Sequence, residues 1–145
     1  MFAIQPTEEQ SPQFSERYAV NIEMWWWQKP FVERIYAAAD AGFTHVEFWP
    51  YENKDIDAIA AACKERGITV AQFTAWGFTP GLNNPKNHEA FVEKITEACA
   101  IAKQLDCKMM TVVGGNDQPG MTQEDMHQNI IDGLKLVKPI VEEAG

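Results

Sequence analysis

The stretch "IYAAADAGFTHVEFWPYENKDIDAIAAACKERGITVAQFTAW", residues 35–76, carries one pattern twice. An amphipathic segment stops at Gly42 and the apolar run "HVEFW" (45–49) follows. A second amphipathic segment stops at Gly67 and "TVAQFTAW" (69–76) follows. A glycine just past a helix supplies the left-handed residue that ends it. The apolar runs are short and lack the strict alternation of a half-exposed antiparallel strand. They read as strands covered on both faces, as in a parallel sheet.

The same unit extends in both directions. "YAVNIEM" (18–24) precedes it as a strand, and "KPFVERIYAAADAG" (29–42) places Pro30 near the first helical position with Phe31, Ile35 and Ala38 as its apolar stripe. In "NKDIDAIAAACKERG" (53–67), Asn53 is the expected cap. "NPKNHEAFVEKITEACAIAKQLD" spaces Phe91, Ile95, Cys99 and Ala102 by three or four. Cys107 is expected to open a fourth strand, with "KMMTVVGG" (108–115) as its body. The last helix opens on Thr122 with Asp125 three residues on, a relative of the capping box. Pro139 is expected to bend or divide that helix, because its ring opposes the carbonyl four residues back.

The chain therefore reads β-α-β-α-β-α-β-α, with right-handed crossovers and parallel strands in sequential order. Part of a (β/α)8 barrel or a small open sheet would satisfy this. The turn after the first strand, "MWWWQKP", has no glycine, and neither G-x-G-x-x-G nor G-x-x-x-x-G-K occurs anywhere. That favours a (β/α)4 half of a TIM barrel, four parallel strands each followed by a helix. A complete barrel takes about 250 residues. The expectation is a barrel unit over residues 18–145, ending at a unit boundary, behind a polar and mobile tail over residues 1–17.

Charge and cysteines narrow the function. With 21 acidic and 12 basic residues the net charge is −9, and the Lys and Arg residues are scattered. A nucleic-acid partner needs clustered positive charge, so none is expected. No apolar run approaches the roughly 18 residues that span a bilayer, so no membrane partner is expected. Cys63, Cys99 and Cys107 are odd in number and widely spaced. They read as buried, reduced thiols of a cytoplasmic protein rather than a disulfide framework or zinc site.

In a (β/α)8 protein the chemistry lies at the C-terminal ends of the strands. All five tryptophans fall there: Trp25, Trp26 and Trp27 after the first strand, Trp49 after the second, Trp76 after the third. An aromatic-walled pocket around a small polar substrate and an oligomer or loop contact are both open readings. Glu47 lies mid-strand on the face of Trp49, and a carboxylate inside a barrel must be paired or hydrogen-bonded. It serves either a structural network or the substrate directly. Asn21 with Glu23, and Gln72 with Thr74, pose the same choice. His45, His88 and His127 lack metal-ligand spacing and read as solvated or capping side chains.

The stretch 18–76 together with "MMTVVGGNDQPGM" (109–121) closely resembles the N-terminal half of hydroxypyruvate isomerase-like proteins, in the xylose isomerase-like TIM barrel superfamily. The resemblance implies aldose–ketose isomerisation, hydroxypyruvate to 2-hydroxy-3-oxopropanoate, through a metal-stabilised enediolate, with Mg²⁺ or Mn²⁺ in the full-length protein. It also implies that the metal ligands and catalytic glutamates come from strands five to eight, so no catalytic residue is expected in this chain, which alone is expected to bind no metal and to be inactive. The substrate-facing wall carried over is Asn21, Glu47, Trp49, Thr74, Trp76 and Asn116. The expected ligand is a small hydroxy-carbonyl or sugar compound. Sugar 3-epimerisation, phosphodiester hydrolysis and a non-catalytic half-barrel are the alternatives, the last a homo-oligomer or the partner of a C-terminal half.

Overall fold

The computed structural model describes residues 17–145; all but the last residue of the expected tail lie outside the described residues. Strands β1 (Ala19–Asn21), β2 (His45–Phe48), β3 (Thr69–Trp76) and β4 (Met110–Val112) alternate with helices α1 (Phe31–Asp40), α2 (Ile56–Arg66), α3 (His88–Gln104) and α4 (Gln123–Ala144). The four strands form one parallel sheet in the order β1-β2-β3-β4, the half-barrel the sequence predicts.

Local chemistry sets the helix ends, and it differs from expectation at several. Asp55, not Asn53, caps α2, its side chain accepting from the Ala58 N–H. Asn53 lies two residues earlier at φ 62°, closing the turn that leads into the cap. As expected, Pro30 stands next to the first residue of α1, as its N-cap, and Gly67 ends α2 in the left-handed conformation. Thr122 and Asp125 form a reciprocal capping box at the start of α4. Pro139 does not divide α4, which runs through it to Ala144. The helix packs along α3, and burial of Met126, Gly133 and Val137 offsets the one hydrogen bond a proline removes. Cys107 lies before β4, not in it; its thiol donates to the Met109 carbonyl at 3.2 Å. All three cysteines are free and buried.

The core lies between the sheet and the helices. Val20, Val46, Phe48, Val70 and Phe73 of the strands meet Ile35, Ile59, Phe91 and Ile95 of α1, α2 and α3. Phe48 stacks on Phe73 at 5.8 Å, and Tyr51 meets Phe73 edge-on. Each such side chain, once fully buried, contributes about 1.5–3 kcal/mol.

Two register shifts give β3 its shape. Val46 pairs with Val70 but Glu47 with Gln72, so Ala71 is an extra residue. Thr74 pairs with Thr111 but Trp76 with Val112, so Ala75 is another. Each bulge reverses which face the following side chain takes.

Candidate functional site

The inner face of the sheet carries a polar row across all four strands. The pairing register sets Asn21 beside Glu47 and Glu47 beside Gln72. Asn21 Nδ2 donates to Glu47 Oε1 at 2.9 Å, and Gln72 Nε2 donates to Glu47 Oε2. Thr111 Oγ1 donates to Gln72 Oε1. At the other end, Asn21 Oδ1 accepts from the Glu23 N–H at 2.9 Å and the Met24 N–H at 3.3 Å, which fixes the amide's orientation. Glu47 is thus held by two neutral amides from flanking strands.

Of the six wall residues read from the sequence, Asn21 and Glu47 meet directly. Thr74 follows Gln72 by two residues on the same strand, and it is buried. Trp49 stands at the end of β2, 45% exposed, its N–H held by Glu23 Oε1 at 3.2 Å. Trp76 is not brought to the row. The bulge at Ala75 turns it to the helix side, where it is 7% exposed and meets Phe91 edge-on at 5.2 Å. Asn116 is exposed in the loop after β4 and joins the site's framework through its backbone carbonyl, which accepts from Asn83 Nδ2 at 2.8 Å. Gln72 shares the face of Thr74, as the sequence suggests. Thr111 was not anticipated; its signal is that it is the one polar residue of β4.

Two cations build the rim. Arg34 of α1 donates to the carbonyls of Ile22, Trp27 and Lys29 at 3.0–3.1 Å, pinning the Trp25–Trp27 turn. Lys54 Nζ donates to the Trp49 and Pro50 carbonyls, pairs with Glu23 at 2.8 Å and lies 4.8 Å from the centre of the Phe31 ring. Trp25 and Trp27 are exposed, Trp26 less so, and Trp26 takes φ 54° to make the turn. The run thus presents side chains in more than one direction.

The loops after β3 and β4 lock together beside the site. Asn83, 4% exposed, bonds its N–H to the Gly114 carbonyl at 2.8 Å, while Asn129 Nδ2 of α4 donates to its carbonyl. The backbones meet so closely at Gly81 and Gly115 that a Cβ on Gly115 would lie 2.5 Å from Gly81 Cα. Behind β2, Tyr51 Oη donates to Glu97 at 3.0 Å and Lys94 bridges Glu52 and Glu97. Burial pushes the Tyr51 phenol up to about 12, with the Glu97 hydrogen bond adding to the rise and Lys94 opposing it. The Lys94 and Tyr51 hydrogen bonds hold the Glu97 carboxyl below its usual range.

His88, in the first turn of α3, meets the Leu82 carbonyl at 3.2 Å; His45 meets Thr44 at 2.9 Å; His127 is exposed. Among the described residues no three His, Cys, Asp or Glu side chains converge to hold a metal, and both Glu47 oxygens are taken by amides. Among the described residues no helix is long and apolar enough to cross a membrane.

The chain is similar to the 2-oxo-tetronate isomerase of Pectobacterium atrosepticum, 32% identical over 129 residues that make up 82% of this chain and 48% of the relative. It is similar to the hydroxypyruvate isomerase of Escherichia coli, 25% identical over 82% of this chain and 48% of the relative. The chain spans about half the length of the curated relatives it matches. Its fold superposes on a family 2 AP endonuclease of Brucella melitensis with a TM-score of 0.79, at 23% identity, over 88% of this chain and 51% of that one. The family model for the xylose isomerase-like TIM barrel matches residues 35–145. With most of its length under that model and its four parallel strands in barrel order, the chain belongs to the xylose isomerase-like TIM barrel family.

Proposed function

We propose that these four β/α units are the first half of a barrel that isomerises a small hydroxy-carbonyl compound, of the hydroxypyruvate or 2-oxo-tetronate kind. The observation that carries the reading is the similarity to a 2-oxo-tetronate isomerase over 82% of the chain. It is supported by a polar row on the inner face of the sheet that reaches the C-terminal ends of β1 and β2, the end at which a barrel enzyme binds its substrate. In this reading Asn21, Glu47 and Thr74 line the substrate, Trp49 and Asn116 stand at the rim, and Trp76 backs the wall through its packing on Phe91.

Isomerisation of a hydroxy-carbonyl compound needs a base for the carbon next to the carbonyl and a charge to stabilise the oxygen. The base and the divalent ion, Mg²⁺ or Mn²⁺, belong in this reading to the second half of the barrel. The described residues offer no set to hold that ion, so no step through it is assigned to them. What they do is bind, orient and exclude water. The buried free thiols support a reducing, cytoplasmic setting.

The test is turnover of hydroxypyruvate and of 2-oxo-tetronate with added Mg²⁺ or Mn²⁺. The 145-residue chain alone should give none, and the chain supplied with a C-terminal half-barrel should give isomerisation. Robust turnover by the chain alone would overturn the division of labour; none in either case would overturn the activity.

A second reading is a half-barrel whose role is association, with itself or with a C-terminal half. It is favoured by an apolar groove along β4 and α4, lined by Ile95, Met110, Val112, Ile131, Leu134 and Val137. Ile131 and Leu134 are exposed there.

A further inference from the structure

Trp49 is held by its backbone on both sides. Its N–H donates to Glu23 Oε1 at 3.2 Å, and its carbonyl accepts from Lys54 Nζ at 2.8 Å. Lys54 Nζ also pairs with that same Glu23 oxygen at 2.8 Å. One ion pair thus closes a ring around one residue's main chain. Glu23 comes from the loop after β1 and Lys54 from the loop after β2.

Lys54 is fully used in this arrangement. An ammonium has three N–H bonds to give. Lys54 gives them to the Trp49 carbonyl, to the Pro50 carbonyl at 2.6 Å and to Glu23. None is left for a substrate oxygen. Its side chain is 11% exposed, and its charge lies 4.8 Å from the centre of the Phe31 ring and 5.8 Å from that of Phe48. Phe48 is core and Phe31 packs against it, so the clamp stands on the packed body of the fold. Arg34, 3.9 Å from the other Glu23 oxygen, steadies that carboxylate.

A half-buried ion pair adds little net stability, because desolvation offsets its attraction; what it fixes is geometry. Hydrogen bonds from charged groups are the strong ones, and here they fall on the N–H and the carbonyl of the same residue. We infer that Glu23 and Lys54 are positioning residues that act through Trp49, holding it as a fixed aromatic wall at the C-terminal end of β2, two residues beyond Glu47. The wall is set before any substrate arrives, so no binding energy goes into ordering it. Every contact of the clamp joins residues of the first two β/α units, so it does not depend on what packs against either edge of the sheet. The inference rests on the isomerase reading only in taking Trp49 as part of the substrate wall.

The test is ¹⁵N relaxation of the tryptophan indole N–H groups in the purified 145-residue chain, with the Trp49 signal assigned by its loss in Trp49→Phe. In the wild type, Trp49 should show an order parameter near the ~0.85 of a rigid group, although its side chain is 45% exposed. Lys54→Met keeps the packing on Phe31 and Phe48 but removes the ammonium, and should drop Trp49 below about 0.6. Glu23→Ala should do the same. Glu23→Gln should keep the wild-type value, because its amide oxygen still accepts from both partners. Trp76, buried against Phe91, is the internal reference and should not change in any variant. A mobile Trp49 in the wild type would overturn the inference, even where a variant fails to fold. An unchanged Trp49 in both Lys54→Met and Glu23→Ala, or an equal fall at Trp76, would also overturn it. These outcomes are read without turnover, so failure of the clamp leaves the isomerase reading standing, and absence of isomerisation leaves the clamp standing.

Discussion

Tyr51 shows how a single buried group couples the framework to pH. Its phenol ionises at about 12 in the folded chain, against 10.0 for the free side chain, with burial the main cause. Between those values the unfolded chain has lost the proton and the folded one still holds it. Folding stability therefore falls as pH rises from about 10 to about 12. Cys63, pushed by burial from 9.0 to about 11, adds a slope of the same sign at slightly lower pH. Melting temperatures taken from pH 8 upward should decline through this window, and Tyr51→Phe should flatten the upper part of the decline. An unchanged slope in Tyr51→Phe would remove Tyr51 as its source. Arg34 makes a second prediction at this scale. Three loop carbonyls depend on its guanidinium, so Arg34→Ala should cost about 1.5–3 kcal/mol. It should also make Trp25–Trp27 more accessible to acrylamide quenching; unchanged quenching would mean the turn holds without it. Legibility differs sharply between residues. Glu47 stood out because a charge in the middle of an apolar strand must be paired. Thr111 does not, because a lone threonine in a short strand is ordinary; the register pairs it with Thr74, and only its side-chain hydrogen bond links it to Gln72.

At the scale of elements, the alternation of apolar runs with amphipathic segments is enough to place the four strands and the four α-helices, because helix stop and strand start fall together, at Gly42, at Gly67 and, without a glycine, at Asp106, which itself takes φ 49°. What it could not place was the bulges. Strict alternation puts Gln72, Thr74 and Trp76 on one face; the extra residue at Ala75 sends Trp76 to the helix side, against Phe91. Bulges arise from how neighbouring strands fit, and no composition signal in "TVAQFTAW" marks them. The proline rule predicts a bend or a division in α4 because it is local, whereas the packing of α4 along α3 is not. The loop seam makes a prediction that sequence alone could not. Gly115 and Gly120 both have positive φ, but a Cβ on Gly115 would meet the Gly81 backbone at 2.5 Å, while one on Gly120 would meet nothing within 4 Å. Gly120→Ala should cost about 1 kcal/mol, the backbone penalty alone. Gly115→Ala should cost clearly more, because backbone cannot move aside as a side chain can. Urea unfolding of the two variants checks this; equal midpoints would mean the seam opens freely. Thr122→Ala, which removes one side of the α4 capping box, should cost about 0.5–2 kcal/mol in the same measurement.

At the scale of the molecule, the four parallel strands leave, among the described residues, two open edges and one face without helices. Such an arrangement is uncommon in isolation, because parallel strands are ordinarily buried on both sides. The β4 edge carries exposed apolar side chains: Met109, Ile131 and Leu134 are exposed and line the groove between β4 and α4. In the proposed half-barrel this edge is where further barrel units, or another copy, would pack. The charge of −9 opposes loose self-association through long-range repulsion, so contact there must be apolar and close. Light scattering of the purified chain should therefore show association that strengthens with added salt. Ile131→Lys with Leu134→Lys should reduce it without lowering the melting temperature, since both side chains are already exposed. Glu47→Gln, on the inner face, should leave it unchanged if the β4–α4 edge is the contact. Association that ignores the edge variants and responds to Glu47→Gln would move the contact to the inner face of the sheet. That outcome would set self-association and substrate binding in competition for the same surface.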